Sequence, residues 1–69
     1  MNLNEFISHI KHRSLGIYVF GGTKSCKQYF FGDVGTYTTS IVKNKIGSWR
    51  IVKIEPIPGS LNIFLEEQD

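Results

Sequence analysis

The sequence predicts a single compact α+β domain, residues 1–69, in which a four-stranded antiparallel sheet packs against one or two helices in the order α-β-β-α-β-β. Three observations support this prediction. The N-terminal residues have helical periodicity, two later segments have the strand-turn-strand composition of hairpins, and a length of 69 residues allows only one hydrophobic core.

The first helix is predicted over residues 2–13. Its apolar side chains recur at the i, i+3, i+4, i+7 spacing that forms one face of a helix, and they are Leu3, Phe6, Ile7 and Ile10. Asn2 and Glu5 have the three-residue spacing of a capping box, in which each side chain accepts a hydrogen bond from the other residue's backbone. We expect the apolar face of this helix to pack on the sheet.

A hairpin is predicted to follow over residues 15–31. Residues 15–20 form an apolar run of strand length, and residues 25–31 have strand composition again. Gly21 and Gly22 between them allow the backbone angles of a tight reversal. Cys26 falls in the second strand beside aromatic residues, so we expect it to be a small buried hydrophobe.

Residues 34–46 can be read as a helix or as a strand. Their threonines and β-branched side chains favour a strand by composition. The apolar side chains favour a helix, because they fall within about half of a helical circumference, at Val34, Tyr37, Ile41, Val42 and Ile46. Gly47 would end such a helix. We adopt the helix and keep the strand as the alternative.

A second hairpin is predicted at the end of the chain. Residues 49–54 alternate as a strand does, and the prolines and glycine of residues 56–59 form a turn that no central strand could contain. Leu61, Ile63 and Leu65 then share one face of the last strand.

Three tracts follow the N-terminal helix in the sequence: residues 29–34 (YFFGDV), 49–56 (WRIVKIEP) and 61–66 (LNIFLE). In this layout the chain resembles small proteins of unknown function that are encoded by phages or prophages. The resemblance spans nearly the whole chain, although the threonine-rich middle departs from the leucine-rich helix expected in such proteins. It implies no active site.

Composition excludes several classes of protein. The chain is 41% hydrophobic and 20% charged, which is typical of a packed domain and not of a disordered segment. Cys26 is the only cysteine, so no disulfide can form within the chain, and a lone thiol suits a reducing compartment. No apolar run approaches the roughly 18 residues of a membrane span. We expect a cytoplasmic protein that does not enter a membrane.

No constellation in the sequence predicts catalysis or a metal site. His9, His12 and Cys26 supply three ligands, whereas structural zinc normally has four. Residues 21–25 (GGTKS) have the composition of a phosphate-binding loop, but the spacing is wrong and a strand is predicted after them in place of a helix. Glu66, Glu67 and Asp69 are expected to form a solvated acidic end. We therefore expect a protein without enzymatic activity, metal or cofactor.

The predicted binding site is formed by Lys43, Lys45, Trp49 and Arg50, in a basic and aromatic face that also includes Lys53. Residues 1–53 carry a formal charge of +6 and residues 54–69 carry −4. Trp and Arg are enriched at interface hot spots. The alternative is that Trp49 belongs to the core and the bases only favour solubility.

We expect this face to bind another protein. The chain would then be a small protein-binding module, such as a phage or prophage regulator or inhibitor. Nucleic-acid binding through the basic residues and a structural role as a homo-oligomer are the alternatives.

Overall fold

The computed structural model describes residues 1–68, which form a four-stranded sheet and three short helices. In chain order these elements are α1 (Leu3–Ser8), β1 (Gly16–Gly21), β2 (Gln28–Asp33), α2 (Val34–Thr39), α3 (Val42–Ile46), β3 (Ile51–Ile57) and β4 (Ser60–Leu65). The predicted α+β class is confirmed. The predicted order is confirmed as well, with the second helical segment divided in two.

The sheet is mixed, with the strand order β2-β1-β4-β3. Both predicted hairpins are antiparallel, but the central strands β1 and β4 run parallel, with Gly16 opposite Ser60 and Gly21 opposite Leu65. The prediction of a fully antiparallel sheet is therefore wrong at this pair. The reason is that α2 and α3 carry the chain back across the sheet, so β3 runs in the direction of β2 and β4 in the direction of β1.

Helix α1 begins as predicted and ends early. The Asn2 side chain accepts from the Glu5 N–H at 2.8 Å, and the Glu5 carboxylate accepts from the Asn2 N–H at 3.0 Å, which confirms the capping box. The helix ends at Ser8 and not near residue 13. Its predicted apolar side chains still pack inward, because Leu3 and Ile7 are buried and both Phe6 and Ile10 contact the core.

The helical reading of residues 34–46 is confirmed, with a break at Ser40. Ser40 has an extended backbone (φ −86°, ψ 156°), and both its N–H and its hydroxyl donate to the Tyr37 carbonyl, at 3.1 and 2.8 Å. The hydroxyls of Thr38 and Thr39 also bond back to helix carbonyls. Such side chains compete with the helical backbone. As a result Ile41, predicted on the apolar face, is 84% exposed.

The helices pack on one face of the sheet. Their buried side chains join those of the strands in one core cluster, whose members are Leu3, Ile7, Ile17, Val19, Val34, Tyr37, Ile46, Trp49, Ile63 and Leu65. Alternation along β1 sends Ile17 and Val19 into this core and Tyr18 and Phe20 to the opposite side. Within residues 1–68, no helix covers that opposite side.

The connection between β1 and β2 is a loop of residues 22–27 and not a tight reversal at Gly21 and Gly22. Because β2 begins only at Gln28, Cys26 lies in the loop and is exposed. The expectation that Cys26 is buried is therefore wrong.

The turn between β3 and β4 is confirmed at Pro58 and Gly59, but β3 runs from Ile51 to Ile57 and not over residues 49–54, so Pro56 lies in the strand and not in the turn. Pro58 and Gly59 occupy its two central positions, and Gly59 has a φ of 75°, which a type II turn requires at that position. Pro56 lies on the edge strand β3, where a missing N–H breaks no interior ladder.

The acidic end of the chain is not simply solvated. Glu66 forms an ion pair with Arg50 at 3.3 Å, and Glu67 accepts hydrogen bonds from residues 24, 25 and 29. Asp69 lies outside the described residues. In the part of the chain that the structure describes, no helix has the length and apolar character needed to cross a membrane.

Candidate functional site

Trp49 belongs to the core. Its side chain is 7% exposed, and its ring meets the ring of Tyr29 edge-on, with centroids 5.1 Å apart and an angle of 86° between the planes. Its backbone is fixed on both sides, because its N–H donates to the Ile46 carbonyl and its carbonyl accepts from the Leu3 N–H. The prediction of an exposed Trp49 ring is therefore corrected, and the alternative of a core residue describes it.

The three predicted basic residues have separate surroundings. Lys43 donates from Nζ to the Thr38 carbonyl at 2.7 Å and lines a shallow cavity of about 250 Å³ between the three helices. Arg50 pairs with Glu66 beyond the end of β4, and Lys45 is exposed on α3. The structure does not gather these bases around an exposed aromatic ring.

A different surface has the features of a binding site, and we call it the open face. It is the side of the sheet opposite the helices. Strand alternation and register place on it the aromatic residues Tyr18, Phe20, Phe31 and Phe64 and, along β3, the residues Lys53, Glu55 and Ile57. None of the four aromatic side chains belongs to the core cluster or to the side chains packed against it.

The aromatic rings of the open face form two stacked pairs. Tyr18 and Phe31 lie opposite each other on neighbouring strands, with ring centroids 5.0 Å apart and planes 13° from parallel. Phe20 and Phe64 form the second pair, at 5.5 Å and 23°. Phe31 is nevertheless 63% exposed. Each ring therefore uses one of its faces against its neighbour, and Tyr18, Phe20 and Phe64 are half-buried while Phe31 is exposed.

The charges of the open face balance one another. Lys53 Nζ lies 3.1 Å from Glu55 Oε2 and 5.8 Å from the centroid of the Phe64 ring. The ammonium thus neutralises one carboxylate and lies over an aromatic ring at a distance typical of a cation–π contact. The open face is consequently aromatic and close to neutral.

The residues weighed for metal binding or catalysis are dispersed. His9, His12 and Cys26 are all exposed, on the segment after α1 and in the β1–β2 loop. Across residues 1–68, no three His, Cys, Asp or Glu side chains are placed to hold a metal ion. Burial raises the pKa of Tyr37 to about 12, so this hydroxyl stays protonated and donates to Asn4 Oδ1 at 3.0 Å.

Sequence reasoning missed the open face, although a signal was present. In β1 large side chains occupy both alternating sets, with Ile17 and Val19 on one side and Tyr18 and Phe20 on the other. Such a run is typical of a strand buried on both faces. The sequence offers too few helical residues to cover two faces, and this shortage is the signal that one aromatic face is left uncovered.

Comparisons with known proteins give no family to which the chain can be assigned: no protein-family model, no curated protein and no solved structure matches it. The chemistry of the open face is therefore the basis for a functional proposal.

Proposed function

We propose that the protein is a non-enzymatic binding module that docks another protein on the open face. The observation that carries this proposal is an aromatic sheet face, with Phe31 63% exposed at its β2 side, that the described chain leaves uncovered. The largest apolar patch on a protein surface is often a functional site, and aromatic side chains are enriched in interfaces. Burying such a surface yields about 25 cal/mol per Å² of apolar area.

The dimensions of the open face favour a transient partner. Strands lie about 4.8 Å apart and rise about 3.3 Å per residue, so four strands of six residues span roughly 19 by 20 Å. This is about 400 Å² of projected area on each partner, at the low end of specific interfaces, where weak signalling contacts are found. A permanent homo-oligomer normally buries several times more. The size therefore supports reversible docking over a structural assembly.

The charge of the open face indicates the chemistry of the partner. Because Lys53 and Glu55 neutralise each other, an acidic or basic partner would gain little attraction there. A buried unpaired charge would also cost several kcal/mol, as a typical order of magnitude. We therefore expect an apolar, uncharged segment at the centre of the partner's surface.

Two observations favour protein over nucleic acid as the partner. Bases stack on aromatic faces that lie open, whereas the rings here are stacked on one another and Phe64 also has Lys53 over it. Phosphate contacts need several lysine or arginine side chains along the binding surface, and on the open face Lys53 is already paired with Glu55.

The proposed setting is the cytoplasm, where an exposed thiol such as that of Cys26 stays reduced. A regulator of phage or prophage origin, as the sequence resemblance implies, would act there by occupying the surface of its target. Docking and release would then suffice for function, without chemistry on the target.

The experiment is site-specific photo-crosslinking in an extract of the native cells. A photoreactive residue replaces Phe31 in one protein and Ile41 in a matched control, because Ile41 is the more exposed apolar side chain but lies between α2 and α3. We expect one protein to be crosslinked from position 31 and not from position 41. In a pull-down from the same extract, the Ile41→Ser variant should still bind this protein, and the Phe31→Ser variant should not.

Two results would contradict the proposal. One is crosslinking of the partner from position 41 with no product from position 31. The other is a pull-down in which binding of the partner disappears on nuclease treatment, which would support the nucleic-acid alternative.

A further inference from the structure

The loop between β1 and β2 surrounds one carboxylate with hydrogen-bond donors. Glu67 Oε1 accepts from the backbone N–H groups of Lys24, at 3.0 Å, and Ser25, at 2.7 Å. Its other oxygen, Oε2, accepts from the Ser25 hydroxyl at 2.9 Å and from the Tyr29 hydroxyl at 2.7 Å. Four donors from three residues therefore converge on a single anion.

This arrangement has the chemistry of an oxyanion site. Consecutive backbone N–H groups that point into one concavity bind anions, and hydrogen bonds to an ionised group are about twice as strong as neutral ones. The hydrogen bond from Tyr29, with those from Ser25 and Lys24, lowers the pKa of Glu67 to about 2. The same contact with Glu67 raises the pKa of Tyr29. Both shifts indicate that the loop holds the charged form.

The loop sequence explains how an anion fits there. A β-carbon at position 21 would overlap the Glu67 carboxylate, so glycine at this position leaves the space that the anion fills. Residues 21–25 (GGTKS) have the composition of a phosphate-binding loop without its spacing. The structure shows that they still provide two backbone donors and a serine hydroxyl around one anion.

The Glu67 side chain can leave the β1–β2 loop without disrupting the sheet. Glu67 lies two residues beyond the end of β4, and its backbone N–H donates to the Thr23 hydroxyl at 3.2 Å. The sheet pairing ends at Leu65, so withdrawal of the Glu67 side chain breaks no bond between strands.

We propose that the β1–β2 loop is an oxyanion-binding site that Glu67 occupies from within the chain and that accepts a carboxylate or phosphate group in its place. The site is independent of the open face, because its donors come from residues 24, 25 and 29. An occupant in the same chain has an effective concentration in the millimolar range or above, so an external anion must outcompete it. The affinity for a free anion should therefore be low in the wild-type protein and should rise when Glu67 is removed.

The test uses inorganic phosphate, titrated while the backbone amide resonances of Lys24 and Ser25 are followed by NMR. Glu67→Ala vacates the loop, and Glu66→Ala is the matched control, because it removes the neighbouring carboxylate that pairs with Arg50. We expect saturable shifts of both amides in Glu67→Ala, with an affinity at least about tenfold above that of the wild type. Glu66→Ala should behave as the wild type does. Acetate in a parallel titration distinguishes a carboxylate site from one selective for phosphate.

The proposal is overturned if the two amides do not saturate in a folded Glu67→Ala protein, or if all three proteins respond equally, as salt screening would make them do. Should the loop resonances of Glu67→Ala broaden beyond detection, the melting temperature replaces them as the readout. Phosphate must then raise the melting temperature of Glu67→Ala more than that of the wild type. An equal rise in the two proteins refutes the site.

Discussion

Replacing Trp49 by alanine tests whether this ring belongs to the core or to a binding surface. The side chain is 7% exposed and packs edge-on against Tyr29. Truncating a buried tryptophan costs about 3–5 kcal/mol, and a lost aromatic pair lies within that cost. We therefore expect Trp49→Ala to lower the free energy of unfolding by about 4 kcal/mol.

That loss is large for a chain of this size. At roughly 0.05–0.15 kcal/mol per residue, a domain of 69 residues has a free energy of unfolding of about 3–10 kcal/mol. A loss of about 4 kcal/mol would thus unfold Trp49→Ala in buffer at 25 °C if the wild type lies near the low end of this range, and would leave it folded but strongly destabilised near the high end. Trp49→Phe keeps an aromatic ring, so its stability should lie between those of the wild type and Trp49→Ala and should be measurable. We expect its free energy of unfolding to fall by about 1.5 kcal/mol, because of the smaller buried area and the residual cavity.

The assay is urea unfolding followed by far-UV circular dichroism, because tryptophan fluorescence disappears with the residue. With a slope of about 1 kcal/mol per M, Trp49→Phe should lower the midpoint by roughly 1.5 M. Phe31→Ala is the matched control, since it removes an exposed aromatic ring and should cost about 1 kcal/mol or less. A Trp49→Ala protein that keeps the wild-type midpoint would refute the assignment of Trp49 to the core.

Three further predictions concern helix α1, the side-chain carboxylate of Glu67 and the turn between β3 and β4. Phe6→Ala should lower the free energy of unfolding by about 1–3 kcal/mol, less than for a fully buried ring, because Phe6 is only partly buried; an unchanged melting midpoint would show that α1 is not docked. Glu67 has a pKa lowered from 4.5 to about 2, so its stabilising contribution is complete above about pH 4.5 and is lost as the pH falls towards 2. Acid titrations should accordingly show a smaller loss of stability over that window in Glu67→Gln than in the wild type, and identical profiles would contradict the loop contacts. Gly59→Ala should cost about 1 kcal/mol by urea unfolding, because Gly59 has a φ of 75° and nothing nearby obstructs a β-carbon; no loss would contradict the turn conformation.

Local patterns in the sequence predicted the local structure. Asn2 and Glu5 marked the start of α1, because a capping box depends only on residues three apart. Pro58 and Gly59 fixed the last turn for the same reason. In residues 34–46 the apolar spacing predicted a helix correctly against the β propensity of the threonines. The break at Ser40 comes from hydroxyl groups that bond to the helix backbone.

Features that depend on distant parts of the chain could not be read in this way. The parallel pairing of Gly16 with Ser60 joins residues far apart in sequence, and it follows from the path of the helical connection. Trp49 is a residue type enriched at hot spots, but its burial depends on packing against residues from other elements, such as Tyr29 on β2. The loop around Glu67 depends on the same kind of long-range contact, between residues 25 and 67.

The most direct test of the open face uses the partner identified by crosslinking, purified in its free form. Its affinity is measured for three folded proteins: the wild type, Phe31→Ser and Ile41→Ser. Hot-spot side chains contribute about 2 kcal/mol or more, which corresponds to roughly 30-fold in Kd. We predict that Phe31→Ser weakens binding by at least about that factor, while Ile41→Ser stays within about twofold of the wild type. Equal affinities for Phe31→Ser and the wild type, with the fold intact in both, would contradict the assignment of the open face as the docking surface.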